Sequence, residues 1–375
     1  MTAEYYKELV HTMNDSKIRI AIVGLGNCAS TLVQGIGYYR SSGDATGLMH
    51  PVLAGWQVGD ITIACAFDVD ERKIGQRVGR AIFAKPNNSR VFFSDPQDDG
   101  AVVHAGPIGD GAAGHLAGFD ASQRLEPSAK SRSVGLGDVV RILRQTEAQV
   151  LVNYLPVGSQ QATELYAQAC LEAGVAMVNC IPVFIASDAA WAGRFAAAGL
   201  PIIGDDVKSQ FGATIVHRQL MSLAEQRGIH IDSSYQLNVG GNADFLNMLE
   251  RGRLASKKVS KTEAVNSQLR SALDDKHIHI GPSDYIAFLA DNKVCYVRIN
   301  GRGFGGLPLE LDLKLSVEDS PNSAGIVVDA VRCAALARRR GIGGPLGAVS
   351  ATLMKHPPEQ MTDQAAASAM ERWIA

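Results

Sequence analysis

The stretch Ile18-Arg-Ile-Ala-Ile-Val-Gly24-Leu-Gly26-Asn-Cys-Ala-Ser30 decides the fold. Its first six residues are apolar except for Arg19 and rich in β-branched side chains. Such a run predicts a strand buried on both faces of a parallel sheet. The run breaks at Gly24, and Ala29 to Tyr39 predicts a helix. Strand, glycine turn and helix form the context in which G-x-G-x-x-[GA] binds a dinucleotide. Gly24 permits the tight turn, Gly26 lets a pyrophosphate approach the backbone, and Ala29 keeps helix and strand close. The helix start adds free N–H groups and a positive dipole end.

A second buried strand, Ile61 to Phe67, closes on Asp68. An acid there would bond the adenosine ribose and disfavour a 2′-phosphate, which selects NAD over NADP. A strand-end cap is the other reading of Asp68. The acid lies more than twice as far from Gly24 as the usual ~20 residues. The Gly-rich loop 43–59 absorbs the difference. Residues 95–137, dense in Gly, Ala, Asp and Ser, read as a long surface excursion. Strands at 150–154, 175–178 and 201–204 then alternate with helices at 139–146, 159–173, 189–198 and 212–227. That alternation predicts a doubly wound parallel sheet.

After residue 228 the pattern changes. Strand-like runs at 229–239, 277–280, 294–299 and 309–317 surround a charged, helix-like segment at 247–273. Consecutive strands joined by turns predict a second α/β domain with a mostly antiparallel sheet. The nearly apolar helix 323–337, with Ser320-Pro321 as its cap, returns to the first core. The expected fold class is therefore α/β, a Rossmann-type sheet with an inserted domain. Residues 1–228, completed by 320–375, form the first domain, and 229–319 the insert.

Composition narrows the class. The 375 residues are 46 % hydrophobic and 20 % charged, with a net charge of −2. A broad basic surface for nucleic acid is not expected. No long apolar run suggests a membrane span, and residues 1–17 lack the apolar core of a signal peptide. The six cysteines form no C-x-x-C pair, so reduced, buried thiols in a cytoplasmic protein are expected.

Several clusters carry potential chemistry. Gly204-Asp205-Asp206-Val-Lys208-Ser209 follows a strand, where ligands of a wound sheet sit. Its acids and lysine suit a cofactor ribose, substrate hydroxyls or a cation, although a helix cap explains one of the acids. Lys257, Lys258 and Lys261 are crowded. In a helix, Lys257 and Lys261 would repel by roughly 0.2–0.5 kcal/mol unless an anion bound them, and a solvated face is the plainer reading. Asn238-Val-Gly-Gly-Asn242-Ala-Asp244 suits a loop that grips hydroxyls, or an ordinary turn. His277 and His279 alternate along a strand without a third metal ligand.

Taken together, these motifs resemble the myo-inositol-1-phosphate synthase family in its short bacterial and archaeal form. The matching pieces are GLGNCAS (24–30), FDVD (67–70), NYLPVGS (153–159), NCIPVFIAS (179–187), GDDVKSQ (204–210), QLNVGGNADFLNM (236–248), SKKVSK (256–261), GPSDYIAFLADNK (281–293), EDSPNSAG (318–325) and LMKHPPEQ (353–360). The resemblance implies conversion of D-glucose 6-phosphate to 1D-myo-inositol 3-phosphate. The implied steps are NAD-dependent oxidation at C5, enolisation, intramolecular aldol closure and re-reduction. It further implies cofactor contacts at Gly24, Gly26, Asn27, Cys28, Ala29, Ser30, Asp68, Pro156, Gly158 and Asp205. Implied catalytic residues are Lys257, Lys261, Lys293, Lys355, Asp291, Asp319, Asp206 and Lys208, with substrate held by Asn238, Asn242 and Asp244. A homotetramer is implied, built on the inserted domain. Either a divalent metal or a monovalent cation is compatible with the acids. The competing readings are a conventional NAD-dependent sugar or polyol dehydrogenase and a catalytically silent NAD-binding paralogue.

Overall fold

The computed structural model describes residues 17–96, 100–110, 114–250, 263–281 and 284–375. The first half comprises β1 (Ile18–Val23), α1 (Asn27–Ser42), β2 (Val52–Leu53), β3 (Trp56–Gln57), β4 (Ile61–Asp68), α2 (Val78–Ala81), β5 (Val103–Ala105), α3 (Leu136–Gln145) and β6 (Val150–Asn153). There follow α4 (Gln160–Ala173), β7 (Ala176–Asn179), α5 (Ala189–Ala197), β8 (Pro201–Ile203) and α6 (Ala213–Gln226). The order β13-β8-β7-β6-β1-β4-β5 makes one sheet, all of its pairs parallel, where β13 is Gly344–Pro345. Strand order reverses beside β1, where an open wound sheet leaves its ligand crevice. Val23 is in register with Phe67 on one side and Asn153 on the other. Gly24, Asp68 and Tyr154 therefore leave the sheet at one level.

Alternate residues of β1 face two cores. Ile18, Ile20 and Ile22 pack with Leu32 and Ile36 of α1, and Ala21 and Val23 with Leu143 of α3 and Tyr166 of α4. Both faces are covered, so the strand reads as an unbroken apolar run.

Two sequence expectations change here. The 95–137 stretch is not wholly a surface excursion, because β5 lies within it and extends the sheet beyond β4. A three-residue strand is too short to carry a period. The Gly-rich loop 43–59 holds the β2–β3 hairpin.

The second sheet has the order β10-β9-β11-β12, with β9 His230–Gly240, β10 Ile278–Ile280, β11 Asn292–Arg302 and β12 Pro308–Glu318. The β9–β11 and β11–β12 pairs are antiparallel and β10–β9 is parallel. Between β9 and β10 lies the short helix α7 (Ala243–Asn247). Part of the segment expected to be helical, 251–262, with Lys257, Lys258 and Lys261, lies outside the described residues.

Helix α8 (Asp319–Arg339) returns to the first sheet, followed by α9 (Gly347–Leu353) and α10 (Asp363–Ile374). It starts earlier than expected, with Glu318 at the cap position and Ser320 inside the first turn. Nor is it apolar all round. Asp329 and Arg332, both fully buried, form an ion pair one turn apart. Arg332 also donates to the carbonyls of His50 at 2.8 Å and Trp56 at 3.1 Å, which pins the hairpin loop to the helix. His50 Nδ1 bonds Asp329 Oδ2 at 2.5 Å. No helix among the described residues is long and apolar enough to cross a membrane.

Removing one partner of a buried pair leaves the other charge uncompensated, at a cost of about 3–5 kcal/mol. Asp329→Ala should therefore lower the free energy of unfolding by about that much in a denaturant titration. The hydrogen bond to Asp329 raises His50 to about 9, against the opposing effect of burial. A group with a raised native pKa stabilises fully below its unfolded value near 6.5 and loses that stabilisation as pH passes about 9. Stability should fall between these limits, and His50→Asn should flatten that slope in the same titration.

Candidate active site

A cleft lies at the carboxyl ends of β1, β6, β7 and β8, and the second sheet and α7 form its other wall. Gly24 has φ +82°, and a Cβ there would sit 2.7 Å from the Tyr154 carbonyl oxygen. Only glycine fits this close passage. A Cβ on Gly26 would meet nothing within 4 Å, so this side of the turn is open. Leu25 between them is braced from both ends. Its N–H donates to Asp68 Oδ2 at 2.7 Å, and its carbonyl accepts from Lys73 Nζ at 2.8 Å and Asn87 Nδ2 at 3.0 Å. Asp68 also accepts the Asp70 N–H at 2.9 Å. Its carboxylate thus shapes the turn itself. Lys73 and Asn87 are both buried, and neither sits in a motif that would have revealed it.

Gly26, Asn27 and Cys28 line the cleft, whereas Ala29 and Ser30 turn into the core side of α1. Ser30 Oγ accepts from Gln34 at 3.2 Å. Burial pushes the Cys28 thiol up to about 12, so it stays protonated and unreactive. Pro156 lines the cleft, while Gly158, at φ +87°, serves the turn into α4. The Tyr154 hydroxyl and, across the cleft, Asn247 Oδ1 are buried without a hydrogen-bond partner among the described residues. Asn247 is anchored by donating Nδ2 to the Val157 carbonyl at 3.0 Å. An open glycine face beside unmet polar atoms is what a dinucleotide would satisfy.

The cleft also holds two lysine–carboxylate pairs. Lys293 Nζ donates to Asp319 Oδ1 at 2.9 Å, and Lys355 Nζ to Asp206 Oδ1 at 2.9 Å. All four residues line the cleft. Lys293 stands in β11 opposite Gly240 and Val317, beside the start of α8. Lys355 arrives because residues 205–207 pair antiparallel with 354–356, through Asp205 N–H to His356 carbonyl at 2.8 Å and Lys355 N–H to Asp206 carbonyl at 2.6 Å. Burial depresses the Lys293 ammonium, but Asp319, aided by Asp244, more than reverses this and raises it above the ordinary lysine value.

Other expected site residues face elsewhere. Asp205 does not line the cleft. It is fully buried and accepts from Asn179 Nδ2 at 2.7 Å, the N–H groups of Ile185, Ala186 and Ser187 at 3.0–3.1 Å, and Ser187 Oγ at 2.8 Å. Burial raises it to about 6 against these donors. Lys208 points away, donating to the Ala351 carbonyl at 2.7 Å beside the Arg218–Asp363 pair. Burial, with Arg218 alongside, lowers its ammonium to about 7. Asn238 donates to the Gly281 carbonyl at 2.9 Å below the cleft, and its neighbour on the same strand face, Gln236, lines it instead. Asn242 and Asp244 do line it. Asn242 caps α7 and donates to Asp291 Oδ1 at 3.0 Å. Asp291 is buried beneath the cleft and also accepts from Asn27 Nδ2 at 3.0 Å and Ser320 Oγ at 2.8 Å. Burial, reinforced by Asp319, raises it to about 6. Among the described residues no three His, Cys, Asp or Glu side chains group to hold a metal ion.

Removing a cation or donor aimed at developing charge costs about 10²–10³ in turnover. Lys355→Met should lose at least that much. Lys208→Met should stay within about tenfold of the parent, because its ammonium does not reach the cleft. Steady-state assay of the two variants decides this.

A family model described as myo-inositol-1-phosphate synthase matches residues 212–320. The inositol-3-phosphate synthase of Mycolicibacterium smegmatis is 52 % identical over 365 residues, covering 96 % of this chain and 98 % of that protein. The protein of the same name from Mycobacterium tuberculosis H37Rv is 50 % identical over 362 residues, covering 96 % of each. Among solved structures, that of Ari2 superposes with a TM-score of 0.76 at 36 % identity, covering 95 % of this chain and 98 % of its own.

Proposed function

We propose how this chain works from the premise that it belongs to the myo-inositol-1-phosphate synthase family. Its activity is that of an inositol-3-phosphate synthase, an isomerase. In our reading the substrate is D-glucose 6-phosphate, the product 1D-myo-inositol 3-phosphate, and the cofactor NAD. The chemistry NAD supplies when bound is removal of a hydride from C5 and its later return. Gly26, Asn27, Cys28 and Pro156 would hold it, with the Tyr154 hydroxyl and Asn247 Oδ1 as further contacts.

The observation that carries this reading is the placement of two lysine–aspartate pairs in the same cleft as the glycine turn. Once C5 is a ketone, C6 is acidic. Its enolate, and the alkoxide formed when C6 attacks C1, place negative charge beside a phosphate. Fixed ammonium groups stabilise such charge by roughly 2.7–4 kcal/mol each in a site shielded from water. Lys293, held above its ordinary pKa, stays protonated at neutral pH, which suits a charge stabiliser and not a general base. Asp319 and Asp206 orient their ammonium groups through the 2.9 Å contacts. Asn242 and Asp244 face the sugar hydroxyls, and Lys257 and Lys261 complete the cationic set in this assignment.

Residues 229–319 are, in the same proposal, an inserted unit that assembles a homotetramer. Tyr235, Leu237 and Tyr296 are exposed on the outer face of its sheet, which supports such an interface. A cytoplasmic location accords with six free thiols.

The test mixes protein, glucose 6-phosphate and substoichiometric NAD. Inositol phosphate should accumulate well beyond the cofactor present, with no rise in the NADH absorbance. NADH building up without carbocyclic product would establish a conventional dehydrogenase instead.

A further inference from the structure

Residues 116–128 run beside the glycine-turn end of the cleft, and a dense set of bonds fixes them there. Asp70, fully buried just beyond β4, accepts the Glu126 N–H at 3.0 Å and binds Arg72 through Nε at 2.8 Å and Nη2 at 2.5 Å. The same guanidinium donates onward to the carbonyls of Ala121 at 2.6 Å and Arg124 at 2.7 Å. Backbone bonds from Glu71 N–H to the Glu126 carbonyl at 2.9 Å and from Ser128 N–H to the Val69 carbonyl at 2.8 Å complete the anchor. On its other side, Leu116 packs with Leu246, and Gln123 Nε2 donates to the Tyr285 hydroxyl at 3.2 Å.

This strap places Arg124 on the cleft wall. Arg124 Nη2 is held by Glu126 Oε1 at 3.1 Å, while its Nε is buried without a hydrogen-bond partner among the described residues. A buried donor left unmet costs on the order of 1–3 kcal/mol. A segment strapped this firmly around such a donor suits an acceptor supplied from outside the chain.

Position identifies that acceptor. The strap is anchored beyond β4, on one side of the switch at β1. Lys355 and Asp206 belong to the loop beyond β8, on the other side. Arg124 therefore serves the half of a dinucleotide remote from the reacting ring. That half is ADP, whose phosphate oxygens and ring nitrogens accept hydrogen bonds and whose purine face suits a guanidinium. We propose that Arg124 grips the ADP half of the bound cofactor, an assignment that rests on the NAD reading above.

Titration calorimetry of the full-length protein with NAD and with ADP-ribose tests it. Arg124→Gln should weaken both ligands by roughly ten- to a hundredfold, without lowering the ligand-free melting temperature. Arg124→Lys keeps the positive charge but lacks the Nε–H. It should show the same loss, and it carries the test if the glutamine variant loosens the strap. Unchanged affinities in both variants overturn the assignment. So does a loss confined to NAD with ADP-ribose unaffected, which would move Arg124 to the nicotinamide half. A parent protein that binds neither ligand overturns the cofactor reading itself.

Discussion

The carboxylate of Asp291 is the point on which the site depends. Three stretches of chain far apart in sequence donate to it, through Asn27 of the glycine turn, Asn242 of the α7 cap and Ser320 of the first turn of α8. Asn27 and Ser320 lie at the starts of two helices that share one core on the first sheet, and Asn242 lies at the end of the second sheet. A buried acceptor with several donors has one low-energy arrangement, and losing any partner leaves a desolvated polar atom. The two sheets are held in one relation at this position. Lys293 follows Asp291 by two residues and Asp319 precedes Ser320 by one, so the same network fixes the Lys293–Asp319 pair. Burial together with nearby Asp319 raises Asp291, while the donors from Ser320 and Asn242 oppose the rise and hold it to about 6. The network therefore loses its charge only in mildly acidic solution.

The second lysine pair is set by different means. Lys355 and Asp206 meet because two backbone segments exchange hydrogen bonds at the edge of the cleft. Asp205, beside Asp206, directs its oxygens into the 185–187 turn and holds that edge from behind. Of two adjacent aspartates, one builds the wall and the other lines the cleft. Pairing each ammonium with a carboxylate lowers the cost of desolvating it, since lone charges in such a place are far more expensive than paired ones. It also leaves each pair without net charge.

The fold was largely readable from the sequence because its signal is periodic or chemical. The run 18–30 carries both, and the alternation after residue 139 repeats it. What escaped was the part with neither. β5 is three residues inside a glycine- and aspartate-rich stretch, and its strand character comes from pairing with β4. The site was readable to the extent that motif membership places a residue nearby, but a motif does not say which way a side chain points. Lys208 and Lys355 both sit in matching motifs, yet one ammonium faces the cleft and the other a buried carbonyl. Asp68 fits the ribose acid by position, and the structure gives its oxygens to Leu25 and Asp70. Lys73, Asn87 and Arg124 act through contacts across the fold that no local spacing encodes.

The proposed reaction, which takes a hydride and gives it back, would place a particular demand on the protein. In that proposal the sugar and the cofactor would have to stay in register through proton transfers and a carbon–carbon bond, so both would be held from more than one side. In this molecule the glycine turn supplies one wall, and the opposing wall comes from α7 and the 116–128 strap, which pack on each other through Leu246 and Leu116. Neither segment belongs to the sheet that builds the turn. The packing of α7 against the strap gives the proposed hydride exchange a second wall, built independently of the glycine turn.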